Sequence, residues 1–98
     1  MRIVKTHGMT KQSAKDSVDA LLPRLVQQYG GSMSNLSEAW SGDVFKFSFE
    51  ARGFGIEGTL EVGDERLVLD AKLPWLARAF EGTIRSAVER ELDHILGS

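Results

Sequence analysis

The 98 residues carry 12 Lys+Arg against 14 Asp+Glu, a formal net charge of -2, with 42% hydrophobic residues and no cysteine. That is one small domain, residues 1–98, near the size at which a single core becomes self-sufficient, with too ordinary a composition for whole-chain disorder. Scattered cations exclude the basic stripe that nucleic acid wants and the polybasic segment that anionic membranes attract, and the missing cysteines exclude disulfides, thiolate catalysis and cysteine-ligated zinc.

The opening MRIVKTHGMT is too short and polar for a signal peptide, and no apolar run approaches transmembrane length. A cytoplasmic location is the expectation. Arg2 to Thr6 reads as a strand broken by His7-Gly8, after which Thr10 or Ser13 caps a helix. Ala14, Val18, Leu21, Leu22, Leu25 and Tyr29 recur at helical spacing, and Gly30-Gly31 stops the run. Pro23 interrupts this pattern, predicting either a kink or two shorter helices sharing one apolar face.

The middle of the chain reads as a meander: Ser32 to Trp40, Asp43 to Ala51, Phe54 to Val62 and Glu65 to Leu73. Ser41-Gly42, Arg52-Gly53 and Gly63-Asp64 are two-residue links of the kind tight hairpins use. Such links set the register. Ala51 then pairs with Phe54, Val62 with Glu65 and Trp40 with Asp43. Leu36 and Gly58 fall opposite Phe47, and the large apolar residues share one face. Gly58 lies between Phe47 and Leu69, where a side chain would crowd the layer. Glu61 faces Arg66 on the polar face, and Glu57 faces Asp70.

A last helix is predicted from Pro74 to Leu96, with Leu76, Phe80, Ile84, Val88, Leu92 and Ile95 as its apolar stripe. Gly82 within it marks a close approach to the sheet or the other helix. The expected fold is α+β in two layers: an antiparallel β-meander sheet with two helices packed on one face, in the order β-α-β-β-β-β-α.

Chemistry is harder to find. His7 and His94 lack ligand spacing, so no metal is expected; they read as a turn residue and a last-turn cation. The Glu57–Asp70 pair could share a proton or hold a cation, or simply be screened by Lys46, Lys72 and water. No serine has a catalytic partner, and GFGIEG lies in the meander rather than before a helix. No catalytic residue, cofactor or metal site is therefore assigned. Trp75 falls about 180° from the centre of the helical stripe. Either it folds over a sheet edge or the first strand, or it is an exposed aromatic anchor in a contact surface with Leu73, Pro74 and Arg78.

Several segments carry a resemblance. His7-Gly8 before an alanine-containing helix, GTLEV at 58–62, LDAKLPWL at 69–76, AFEGTI at 79–84 and ELDHIL at 91–96 resemble the polyhydroxyalkanoic acid system proteins, small bacterial proteins. Pro23 departs from that pattern. The resemblance implies a role in storage-polymer metabolism or granule association and brings no catalytic residues with it. The expected function is a non-enzymatic accessory or binding protein whose partners are the polyhydroxyalkanoate granule or granule proteins. The alternatives are a helix-grip carrier of a small apolar ligand, lined by Phe45, Phe47, Phe49 and Leu69, and a structural homodimer.

Overall fold

Period-two alternation builds a five-stranded antiparallel sheet in the computed structural model, which describes residues 1–51, 53–74, 78–79 and 81–96. The strands are β1 (Arg2–Thr6), β2 (Met33–Ser41), β3 (Val44–Ala51), β4 (Phe54–Val62) and β5 (Arg66–Lys72), in the order β1-β5-β4-β3-β2. The meander is as expected, and β1 takes the edge beside β5. Helices α1 (Lys11–Asp19), α2 (Leu21–Tyr29) and α3 (Glu81–Ile95) supply the second layer. With α1 and α2 counted as one bent helix, the order is β-α-β-β-β-β-α.

Thr10 caps α1: its Oγ1 accepts the Ser13 N–H at 3.1 Å, satisfying an otherwise unpaired donor of the first turn. The bend falls at Ala20, not at Pro23 itself. A proline has no N–H for the carbonyl four residues back, and its ring crowds that carbonyl. Here that residue is Asp19, the last of α1. Pro23 therefore sits in the first turn of α2, where proline is tolerated. Both segments keep one apolar face: Ala14, Val18, Leu21 and Leu22 are buried and join Ile3, Phe45, Leu60, Val62, Leu67, Leu69 and Leu92 in a single core.

The β3–β4 hairpin has the expected register, from Ala51 opposite Phe54 to Phe45 opposite Leu60. The other two hairpins are each offset by two residues. Val62 pairs with Leu67 rather than Glu65, across a longer turn closed by the Gly63 N–H donating to the Arg66 carbonyl at 2.8 Å. Trp40 pairs with Phe45 rather than Asp43, because the turn is Gly42-Asp43. Gly42 has φ +59, which suits the first central position of a type II′ turn. Glu61 consequently faces Val68, not Arg66.

Leu36 lies at a bulge between Ser34 and Ser37, beside Asn35 with φ 53, and is 41% exposed. Glu38 takes the place opposite Phe47. Gly58 now lies between Phe47 and Ala71. An added Cβ would collide with the Asp70 carbonyl oxygen and come within 2.8 Å of Phe47 Cζ, so this strand position accepts only glycine without rearrangement.

The last helix begins at Glu81 rather than Pro74. Trp75, Leu76 and Phe80 lie outside the described residues. Ile84, Val88 and Ile95 are half-buried and Leu92 is buried, so the stripe faces the sheet as expected. Gly82 falls in the first turn with nothing within 4 Å of a notional Cβ, so it marks no close approach. Arg24 of α2 donates through Nε to Glu91 of α3 at 2.8 Å, joining the two helices over the sheet.

Candidate functional site

The helices cover one face of the sheet and leave the other open. On that outer face, cross-strand neighbours form rows. One row runs Arg2, Asp70, Thr59, Lys46, Ala39, and the next runs Lys72, Glu57, Ser48, Ser37. Both rows line a depression of about 640 Å³ that draws on all five strands, with Gly58, Phe47 and Ala71 also in its lining. A second depression of about 560 Å³ lies toward the β3–β4 turn, where Gly55 carries no side chain. Its lining includes half-buried Phe49, Ile56, Leu73 and Pro74. The two share Ser48, Glu57 and Lys72 and so form one groove.

The pairing of Glu57 with Asp70 is corrected by the register. Glu57 stands opposite Lys72, with Nζ to Oε1 at 3.9 Å, and Asp70 stands opposite Thr59 and Arg2. The two-residue offset of β4–β5 separates the carboxylates by one row. Each then has a cation across from it, which removes the reason for a shared proton. The Lys72–Glu57 pair is well exposed on both sides and contributes little to stability. Of the contact residues, Leu73 and Pro74 border the second depression, Arg78 is exposed, and Trp75 lies outside the described residues. The register thus leaves Glu57 and Asp70 on the outer face, one row apart, whereas Leu73 alternates to the core face and also lines the cavity between the layers.

Lys46, Ser48 and Thr59 lie on the polar face that alternation predicts for them, and Ser37 joins them through the β2–β3 register. Lys46 is exposed, has uncharged Thr59 and Ala39 directly across its neighbouring strands, and forms no ion pair among the described residues. Alternation places each of these side chains outward, but only the register makes them neighbours. Arg2 joins them because β1 docks beside β5, which nothing in the local pattern specifies.

Elsewhere the polar groups hold the layers together. Asp43, in the β2–β3 turn, meets Lys11 at 2.9 Å and Lys15 at 3.4 Å from α1. The hydrogen bond from Lys11, then that from Lys15, holds the Asp43 carboxyl below its usual range, and the same bond to Asp43 raises Lys11. Trp40 donates its indole N–H to Asp19 at 3.0 Å, and Lys15 Nζ lies 5.0 Å from the centre of its ring. His7 is buried, with Nε2 at 2.8 Å from the Gly63 carbonyl and Nδ1 at 3.1 Å from that of Met9, so it ties the end of β1 to the β4–β5 turn. His94 is exposed in the last turn of α3. No group of three metal-ligating side chains forms among the described residues. Between the layers, Phe45, Phe47, Phe49 and Leu69 help to line an apolar cavity of about 90 Å³.

A family model described as "Putative polyhydroxyalkanoic acid system protein" matches residues 1–96. No curated protein and no solved structure matches the chain.

Proposed function

We propose, since the chain belongs to the polyhydroxyalkanoic acid system family, that it is a non-enzymatic accessory or binding protein acting in the cytoplasm at the storage granule or on a granule protein. Family membership associates the chain with polyhydroxyalkanoate metabolism. The observation that carries the finer reading is the groove, which crosses an open sheet face instead of closing around a reacting centre. It reaches the Leu73-Pro74 junction, where the sequence reading places a contact. Trp75→Ala should weaken co-sedimentation of the purified protein with isolated granules while leaving its circular dichroism unchanged. Undiminished sedimentation of this variant would remove the junction as the contact.

A second reading, the carrier of a small apolar ligand, is favoured by the cavity between the layers. Its volume of about 90 Å³ is below the roughly 150 Å³ of an engineered apolar cavity that takes up benzene. Only a few carbon atoms fit without repacking.

A further inference from the structure

Both ring nitrogens of His7 face acceptors, in a residue only 5% exposed. Nε2 lies 2.8 Å from the Gly63 carbonyl oxygen, and Nδ1 lies 3.1 Å from that of Met9. A carbonyl has no proton to give, so each of these bonds needs an N–H on the ring. Neutral imidazole carries one N–H and one bare nitrogen, and only the imidazolium carries two. With the neutral ring, one nitrogen lone pair would face a carbonyl oxygen across a contact closed to water.

The two carbonyls belong to different elements. Gly63 opens the β4–β5 turn, whereas Met9 leads into α1 through the cap residue Thr10. The turn side is fixed without the ring. The Gly63 N–H donates to the Arg66 carbonyl, and the His7 N–H donates to that of Glu65, each at 2.8 Å. The Met9 side has more freedom, because Gly8 beside it has open space around its notional Cβ. The charged groups on the elements that meet here are Lys11 and Lys15 of α1, Asp43 of the β2–β3 turn, Asp64 and Glu65 of the β4–β5 turn, and Arg66 of β5. Lys11 and Lys15 are engaged with Asp43, and Lys11 also with Asp64. None of the six bonds the ring, so the two carbonyls alone hold its protons.

We propose that His7 is a proton-operated joint. As imidazolium it donates to both carbonyls and ties the lead into α1 to the β4–β5 turn; on losing a proton it keeps Gly63 and releases Met9. The proton leaves Nδ1, because the Nε2 bond is the shorter and its acceptor sits in the turn already fixed. Charge-assisted bonds are roughly twice as strong as neutral ones, so the charged ring also grips each carbonyl harder than the neutral ring can. The Met9 bond is therefore present on the acid side and is lost as pH rises.

The test is NMR on the full chain across about pH 5 to 8, where histidine changes charge, following the imidazole nitrogens and the backbone carbonyl carbons. Exposed His94 serves as the internal reference. At the acid end both His7 nitrogens should carry protons. Toward the alkaline end Nδ1 alone should lose its proton, and the Met9 carbonyl carbon should shift with the same midpoint while that of Gly63 stays. His7→Gln has one donor group in place of two N–H groups and should abolish the pH-dependent Met9 shift. A ring that keeps one charge state over this range, a neutral ring protonated at Nδ1, or a Met9 carbonyl that does not follow the ring would each overturn the proposal. A Met9 shift that persists in folded His7→Gln would do the same. Should that variant not fold, the titration of the parent decides by itself.

Discussion

Gly58 shows how much one residue can hold in place. Its Cβ position is already occupied on the core side by backbone of β5 and the ring of Phe47. Backbone cannot swing aside as a long side chain can, so Gly58→Ala should destabilise the domain by about 1–3 kcal/mol. Gly55, on the same strand, has nothing within 4 Å of a notional Cβ and no positive φ. Gly55→Ala should therefore leave stability unchanged or slightly raised, so paired denaturant melts isolate sterics from the general cost of strand glycine. Crowding at Gly58 was legible in the sequence, although the neighbour beyond it is Ala71 rather than Leu69. The role of Trp40 was not legible, because Asp19 and Lys15 reach it only once α1 docks on the β2–β3 turn.

That docking is the element-scale feature most open to measurement. Lys11 and Lys15 on one face of α1 grip Asp43 in the turn. The Asp43 carboxyl is held below its ordinary value of 3.8, so its contribution to stability is present above that pH and is lost as pH falls through the lower folded value. Lys11 is raised above 10.5, so its contribution is present below that pH and is lost as pH rises through the higher folded value. Lys11→Met should flatten the stability curve at both extremes relative to the parent, measured by denaturant unfolding across pH. The Ala20 bend was anticipated in kind from Pro23. Its position follows from which carbonyl the proline ring crowds.

Across the whole molecule, a five-stranded sheet has two edges that must not pair with other chains. On the β1 edge, Arg85 of α3 donates through Nη2 to the Arg2 carbonyl at 3.0 Å. The β2 edge is exposed along most of its length and is interrupted by the bulge between Ser34 and Ser37. It also carries Glu38 on the core-side face, opposite Phe47. A bulge and an inward-facing charge are recognised devices against edge pairing. They oppose the edge-paired form of the homodimer reading. Glu38→Val should increase self-association, seen as a rise in mean mass by light scattering at high concentration, while the parent shows less. No helix among the described residues is long and apolar enough to cross a membrane.

The residue pattern by itself determined the fold class, the element order, which face of β3, β4 and β5 is buried and the family. Each of these depends on local periodicity or on motifs that survive a small shift. Sliding a hairpin by two residues keeps every side chain on its face, so periodicity cannot tell Val62 opposite Glu65 from Val62 opposite Leu67. Turn conformation and long-range docking decide that difference, and they decided the site. They parted Glu57 from Asp70, set Lys46 among three hydroxyls, and brought Arg2 across from Asp70 by seating β1 at the far edge of the sheet.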